Sequence, residues 1–394
     1  MANSNVKRRK DSKGRVLEKG ESQRADGTYM FRWTDRNKKR QTVYAKTLNE
    51  LREIELQITK TEQIKQTSWD KGKMTVQELI SLYRSLHTAT KITTQQKYKY
   101  FDSILDKLQL GNIPIRDIHI SDAKSYMLTL RNLGYSYATI QNFKGTLSPI
   151  FQMAVEDDFI VKNPFVFRLE YIIDDDRKER TCLTPEVEKK YLDFIKNHSW
   201  YKKSYDDILI LLQTGMRVSE LYGLTFKDLD FQNNRIYVNK QLHYIDGTYY
   251  IMSPKSKAGT RMLAMTPEVK EVLKRKLMEP RPNVTHLIDG HSGFVFINKH
   301  GNPKYRKNLQ MTMLNIRRDY KKETGSDEFD KITPHVFRHT FCSRMIEKGI
   351  EPKTLQVLMG HSDIGTTLDT YTHMDPEKTA KTMEKLLLQN ASNA

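Results

Sequence analysis

The feature that most limits what this chain can fold into is a change in the period of its hydrophobic residues. Tyr29, Phe31 and Trp33 alternate with Met30, Arg32 and Thr34, the two-residue repeat of a strand with one buried face. A polar turn, Asp35 to Lys39, follows, and a strand from Gln41 to Lys46 returns from it. The period then lengthens. Thr47-Leu48-Asn49-Glu50 reads as a capping box opening a helix with Leu51, Ile54 and Ile58 on one face. The first module, residues 1–66, is therefore expected to be a small three-stranded sheet packed on one helix. Its inner face would carry Tyr29, Phe31 and Trp33, leaving Arg24, Arg32 and the basic stretch Lys38, Lys39 and Arg40 outward, where they can meet phosphates.

A second capping box, Thr75 to Glu78, starts four amphipathic helical patterns that run to about Phe159. Their apolar stripes are Val76, Leu79, Tyr83 and Leu86; Tyr98, Phe101, Leu105 and Leu108; Tyr126, Met127, Leu130 and Leu133; then Ile140, Phe143, Leu147, Ile150 and Phe151. Residues 74–168 thus read as a four-helix domain whose stripes form its core. Lys91, Lys97, Lys99, Lys124, Arg131 and Lys144 fall off the stripes, where they either line a DNA-facing surface or are simply solvated. The charged segment Asp174 to Arg180 lacks apolar periodicity and belongs to a linker, residues 169–183. Thr184-Pro185, an N-cap with Pro at the first helical position, opens a third domain at residues 184–394. That domain begins with helices to about Leu224 and has strand-like runs at Arg235 to Val238, Tyr249 to Met252 and Met262 to Met265. Helices follow, so the whole is multidomain and mainly α with small β elements, its last domain α+β.

Charge narrows the partner. Lys and Arg number 66 against 48 Asp and Glu, a net +18, which favours a polyanion, nucleic acid first. Residues 1–46 hold 14 of the basic and 5 of the acidic residues, so half of the excess lies in the first module, as in a DNA-contacting arm. Cys182 and Cys342 are the two cysteines. They stand far apart, outside any CxxC or His/Cys metal spacing, which argues against a disulfide framework or a zinc site. The polar start Met1-Ala2-Asn3-Ser4 has no signal-peptide core, and no apolar run approaches the ~18 residues of a membrane span. A cytoplasmic protein, nucleoid-associated when bound to DNA and without a membrane partner, is expected.

Three segments of the last domain carry chemistry: Thr214-Gly215-Met216-Arg217-Val218-Ser219-Glu220, Pro334-His335-Val336-Phe337-Arg338, and Gly360-His361 through Tyr371. In this order and context they closely resemble the catalytic domain of tyrosine recombinases, and the full layout is similar to integrases of conjugative transposons and of lambda-type phages. The residues read on their own agree. Attack on a phosphodiester needs a nucleophile, cationic donors for the transition-state oxygens and a proton for the leaving oxygen. Arg217 follows an apolar helix that Gly215 would terminate, which places a planar fork suited to phosphate near the start of the next helix. His335 and Arg338 sit at i and i+3 behind a Thr333-Pro334 N-cap, so both project from one face of a first turn. Gly360 would end a helix and turn His361 inward. His339, adjacent to Arg338, points about 100° away and reads as packing, as do Tyr305 and Tyr320.

The resemblance implies the roles. Tyr371 is the nucleophile, Arg217, Arg338 and His361 stabilise the transition state, His335 positions or deprotonates the tyrosine, and Glu220 orients Arg217 or a neighbouring histidine. The family's general acid is a lysine on a turn between two strands, four residues before a basic partner; in Ser253 to Arg261 that is Lys257, with Lys255 as its rival and Gly259 suited to a tight hairpin. A site-specific recombinase that integrates and excises a mobile element through a 3′-phosphotyrosyl intermediate is implied, without cofactor or metal. The chain lacks a Gly-x-x-x-x-Gly-Lys nucleotide loop. Implied partners are double-stranded DNA with core-type and arm-type sites, three further copies of the chain in a tetramer, an excisionase and a host DNA-bending protein. The tail helix, Pro376 to Gln389, would dock on a neighbouring protomer or in cis. Two alternatives remain: a DNA-relaxing enzyme of the type IB topoisomerase kind, and a noncatalytic DNA-binding regulator.

Overall fold

The computed structural model describes residues 9–34, 40–67, 73–87, 92–177, 182–254, 257–282, 286–365 and 367–368. The chain divides into two compact units, Met1–Lys178 and Glu179–Ala394.

The first unit begins with an antiparallel sheet of β1 (Glu21–Gln23), β2 (Tyr29–Thr34) and β3 (Arg40–Ala45), followed by α1 (Leu48–Thr67). Half of the expected capping box forms: Glu50 N–H donates to the Thr47 hydroxyl at 3.2 Å, but the Glu50 carboxylate accepts at 3.1 Å from the N–H of Lys46, one residue before the N-cap. Register places Val43 opposite Phe31 and Thr42 opposite Arg32, so alternate residues segregate to opposite faces. Tyr29 and Phe31 are buried, with Trp33 stacked on Phe31, against Leu48, Leu51, Ile54 and Ile58. Arg32, Arg40 and Tyr44 are exposed on the outer face.

A separate core joins α2 (Val76–Leu86), α3 (Ile92–Lys107), α4 (Ile120–Asn132) and α5 (Tyr137–Glu156). Both hydrogen bonds of the Thr75–Glu78 capping box form. Most stripe residues are buried here, but Leu86, the last residue of α2, and Leu133, the C-cap of α4, are more than half exposed. The core extends past the helices to Phe165, Leu169 and Ile173. Asp176 then accepts from Arg131 at 2.5 Å and from Tyr137 N–H at 3.2 Å.

The second unit contains α6 (Pro185–Asn197), α7 (Tyr205–Thr214) and α8 (Val218–Gly223), then β4 (Leu229–Asp230), β5 (Arg235–Val238), β6 (Gln241–Ile245), β7 (Thr248–Met252) and β8 (Arg261–Ala264). Helices α9 (Pro267–Met278), α10 (Arg306–Thr324), α11 (Pro334–Glu347) and α12 (Pro352–Met359) follow. Helix α7 is the centre of the core, with Ile208, Ile210, Leu211 and Leu212 all buried, as expected of a helix that is apolar nearly all round. Strands β6 and β7 pair through an Asp246-Gly247 turn with both φ positive, the hairpin type favoured by strand twist. Strand β8 pairs with β5, not β7, in the order β4-β5-β8. The segment between β7 and β8 is thus a crossing from one sheet to the other, not the tight hairpin expected at Gly259. Gly259 serves a different need there: a Cβ would lie 2.3 Å from the Pro254 ring. A smaller cluster, Phe341, Cys342, Ile346, Leu355 and Met359, joins α11 to α12. No helix among the described residues is long and apolar enough to cross a membrane.

Candidate active site

The site is built around two left-handed helix ends, at Gly215 and Gly360. Helix α7 stops at Gly215, whose φ of +64° suits glycine, and any Cβ there would meet the Phe341 ring at 2.4 Å. The chain re-enters α8 with Arg217 at the N-cap, an unfavourable place for a cation beside the positive end of the helix dipole. Glu220 does the capping, accepting from the Arg217 N–H at 2.9 Å, and its other oxygen takes Arg217 Nη1 at 2.8 Å. Arg217 keeps a third of its side chain open.

Glu220 is fully buried and held from the other side by Arg261 of β8, through Nη1 at 3.2 Å and Nη2 at 2.8 Å. Burial acts to raise its carboxyl pKa, but the Arg261 hydrogen bonds and the charges of Arg261 and Arg217 outweigh it and bring it down to about 2. The carboxylate is charged throughout the neutral range.

The arginines converge on the end of α12. The last carbonyls of a helix have no partner within it, and the negative end of the dipole draws cations there. Arg261 Nε donates to Leu358 O at 2.6 Å, Arg338 Nη2 to Met359 O, and Arg217 Nη2 to Gly360 O at 3.4 Å. Three successive carbonyls thus orient three guanidiniums. Arg338, in the first turn of α11 behind the Thr333 N-cap, also donates to Gly215 O at 2.7 Å. Burial first, then the charges of Arg217 and Arg261, lowers its pKa to about 9, which leaves it charged at neutral pH.

Gly360, at φ +62°, ends α12 and turns His361 into this cluster. His361 Nδ1 lies 2.9 Å from the hydroxyl of Thr367, a fully buried residue. Desolvation, then the charges of Arg338, Arg217 and Arg261, depresses the imidazole pKa to about 4. His361 is therefore neutral at pH 7, with Nδ1 engaged by Thr367. His339, expected to be a packing residue, is close enough for its charge to contribute to that depression.

Arg217, Glu220, Arg338 and His361 are thus brought together from positions up to 144 residues apart. His335 is exposed on the first turn of α11. Lys257 begins a 3₁₀ turn, Lys257–Gly259, whose Gly259 carbonyl accepts from Arg261 Nη1 at 3.1 Å; the Lys257 side chain, Lys255, Tyr371 and the tail helix lie outside the described residues. Among the DNA-contacting candidates, Arg24, Arg32, Arg40 and Lys97 are exposed, and Lys144 is half-buried, 4.8 Å over the Phe167 ring. Lys38 and Lys39 lie outside the described residues. Sequence reasoning treated Arg261 only as a spacing marker for Lys257 and passed over Thr367. A signal for Arg261 was present: it alternates with Leu263 on the inner face of β8, and a buried cation requires a partner.

Comparison with known proteins agrees in extent and order. Residues 181–378 match the family model described as the phage integrase family, and residues 5–62 that described as the DNA binding domain of tn916 integrase. The transposase from transposon Tn916 of Enterococcus faecalis is 37% identical over 392 residues, covering 96% of each chain. The ICEBs1 integrase of Bacillus subtilis is 26% identical, over 78% of this chain and 81% of its own. Among solved structures, the Tn1549 transposon integrase in complex with a circular intermediate DNA superposes with a TM-score of 0.75 at 38% identity, over 79% of this chain and 99% of that one. A lambda integrase dimer bound to a core site shares the fold, with a TM-score of 0.53 at 17% identity over 75% of this chain and 95% of that one.

Proposed function

This chain belongs to the phage integrase family of tyrosine recombinases, and on that premise we propose that Tyr371 is the nucleophile of its DNA strand exchange, with Arg217, Arg338 and His361 as the phosphate clamp. It is a site-specific recombinase of the conjugative-transposon type, integrating and excising a mobile element by cutting and rejoining strands. The observation that carries the proposal is the convergence of Arg217, Arg338 and His361 on the end of α12. The Tn1549 relative supports it: the Arg→Lys and Tyr→Phe variants solved for that protein alter residues 154 positions apart, the separation of Arg217 from Tyr371.

In the proposed reaction the Tyr371 oxygen forms a bond to phosphorus as the P–O5′ bond breaks, giving a 3′-phosphotyrosyl intermediate. An ordinary tyrosine pKa near ~10 means the hydroxyl must lose its proton during attack, assisted by His335 and by the surrounding cations. Each guanidinium has five N–H donors. Arg217 and Arg338 each engage two among the described residues, and donors beyond these are proposed to take the equatorial oxygens. One fixed donor of this kind is worth roughly 10²–10³ in rate. His361, neutral, donates from Nε2 in the tautomer whose Nδ1 accepts a hydrogen bond from the Thr367 hydroxyl. Lys257 passes its proton to the departing 5′ oxygen. The phosphotyrosyl ester keeps the bond energy, so the 5′ hydroxyl of a partner strand displaces Tyr371 without nucleotide hydrolysis.

The rest of the proposal concerns placement on DNA. Residues 1–66 form the arm-site domain, with Arg24, Arg32, Lys38, Lys39 and Arg40 toward phosphates. Residues 74–168, through Lys97 and Lys144, and 184–394 hold the core site. Exchange between two duplexes needs four active sites, hence a tetramer on DNA, with an excisionase and a DNA-bending protein as accessories in the cytoplasm. The test is trapping on a nicked suicide substrate carrying attachment-site DNA. Wild type should give an SDS-resistant adduct mapping to Tyr371, and Tyr371→Phe should bind the DNA without one. Tight binding by wild type with no adduct, or an adduct at another tyrosine, refutes it; relaxation of supercoils without joining two sites favours the topoisomerase alternative.

A further inference from the structure

We propose that Arg261 is a positioning residue that locks the turn bearing Lys257 onto the phosphate clamp, so that the proton donor and the clamp are set by one side chain. Its guanidinium reaches three elements at once. It forks onto the Glu220 carboxylate, which also holds Arg217. Its Nε takes Leu358 O at the end of α12, two residues before the glycine that turns His361 inward. Its Nη1 takes Gly259 O at 3.1 Å, the last residue of the 3₁₀ turn that begins at Lys257. The same turn presses on Gly360, where an added Cβ would lie 3.1 Å from Ala258 O and 3.0 Å from Arg261 Nη1. The segment between β7 and β8 crosses between two sheets, and its described residues belong to no strand ladder. The Arg261 bond to Gly259 is thus a tie to the clamp that strand pairing does not supply.

The proposal rests on the reading of Lys257 as general acid, and the test separates the two. In the natural reaction the Tyr371 O–P bond forms, P–O5′ breaks, and the 5′ oxygen receives a proton from the Lys257 ammonium. If sulfur replaces that bridging oxygen, P–S5′ breaks and the thiolate leaves without a proton, since a thiol has a pKa near ~8.5. Adduct formation would be measured on nicked core-site DNA in both the oxygen and the 5′-bridging sulfur forms. Arg261→Lys keeps a charge against Glu220 but loses the fork. A misplacement of ~1 Å in a reacting group costs on the order of 100-fold. It should therefore bind DNA as wild type does and slow the oxygen substrate by roughly 10- to 100-fold more than the sulfur substrate, because any disturbance of the clamp slows both substrates alike. Arg261→Gln should show the same pattern, and the sulfur-to-oxygen rate ratio does not depend on how much of either variant is folded. Equal slowing of Arg261→Lys on both substrates, or none on either, overturns the proposal if Lys257→Ala is rescued by sulfur. Lys257→Ala left unrescued overturns the general-acid reading itself, and the Arg261 proposal with it.

Discussion

Replacing Glu220 by Gln removes the one anion that two arginines share. The carboxylate accepts four hydrogen bonds, one from the Arg217 N–H, one from Arg217 Nη1 and two from Arg261. A carboxamide offers one oxygen and turns its NH₂ donors toward guanidinium. Two routes give the size of the loss. The shift of the Glu220 pKa from 4.5 to about 2, at about 1.4 kcal/mol per unit, corresponds to about 3 kcal/mol. Breaking a buried ion pair by removing one partner costs about 3–5 kcal/mol. For a unit of this size about 3 kcal/mol lowers Tm by roughly 10 °C. The pH dependence follows in sign. The folded pKa lies below the unfolded one, so the contribution is complete above about 4.5 and fades as pH falls toward 2. Denaturant unfolding of the full chain, read on the transition of the second unit, should show Glu220→Gln less stable by about 3 kcal/mol at pH 7 and the gap about 1 kcal/mol narrower at pH 4. A melting difference under about 2 °C at pH 7, or a gap unchanged down to pH 3.5, would falsify the reasoning.

Gly215→Ala should lose about 3 kcal/mol in the same assay, the sum of left-handed backbone strain and overpacking against Phe341, and should slow adduct formation because Gly215 O orients Arg338. Tyr191, fully buried between Phe329 and Phe337, has a hydroxyl with no hydrogen-bond partner among the described residues; Tyr191→Phe should therefore raise stability by about 1 kcal/mol, and a loss would show that the hydroxyl is satisfied. NMR of the His361 ring should give a midpoint near 4 in the free protein and a higher one with core-site DNA, whose phosphate offsets the arginine charges. Because the folded pKa is below the ordinary ~6.5, the neutral ring stabilises the fold above that pH and the effect is lost as pH falls through 4. A free-protein midpoint at 6 or above would contradict the desolvated site.

Much of the fold was legible because its signals are local. Period-2 alternation at Tyr29 to Thr34, the Thr47 N-cap, the capping box at Thr75, the Thr-Pro starts at Thr184 and Thr333 and the glycine stops at Gly215 and Gly360 depend on a few adjacent residues, and each element starts or stops there. The path of β8 was not legible. Its residues have strand propensity, but whether it pairs with β7 or β5 is settled by contacts between strands that are distant in sequence.

The same division runs through the site. Sequence by itself determined which side chains are chemically able to handle a phosphodiester, and that Arg217, Arg338 and His361 follow turns or caps that could present them. Tertiary structure alone decided that one buried carboxylate serves Arg217 and Arg261 together, that three arginines share the carbonyls of Leu358, Met359 and Gly360, and that His361 is neutral. The physical reason is that hydrogen bonding, desolvation and charge–charge energies depend on distance in space, and no local pattern encodes the meeting of α8, β8, α11 and α12.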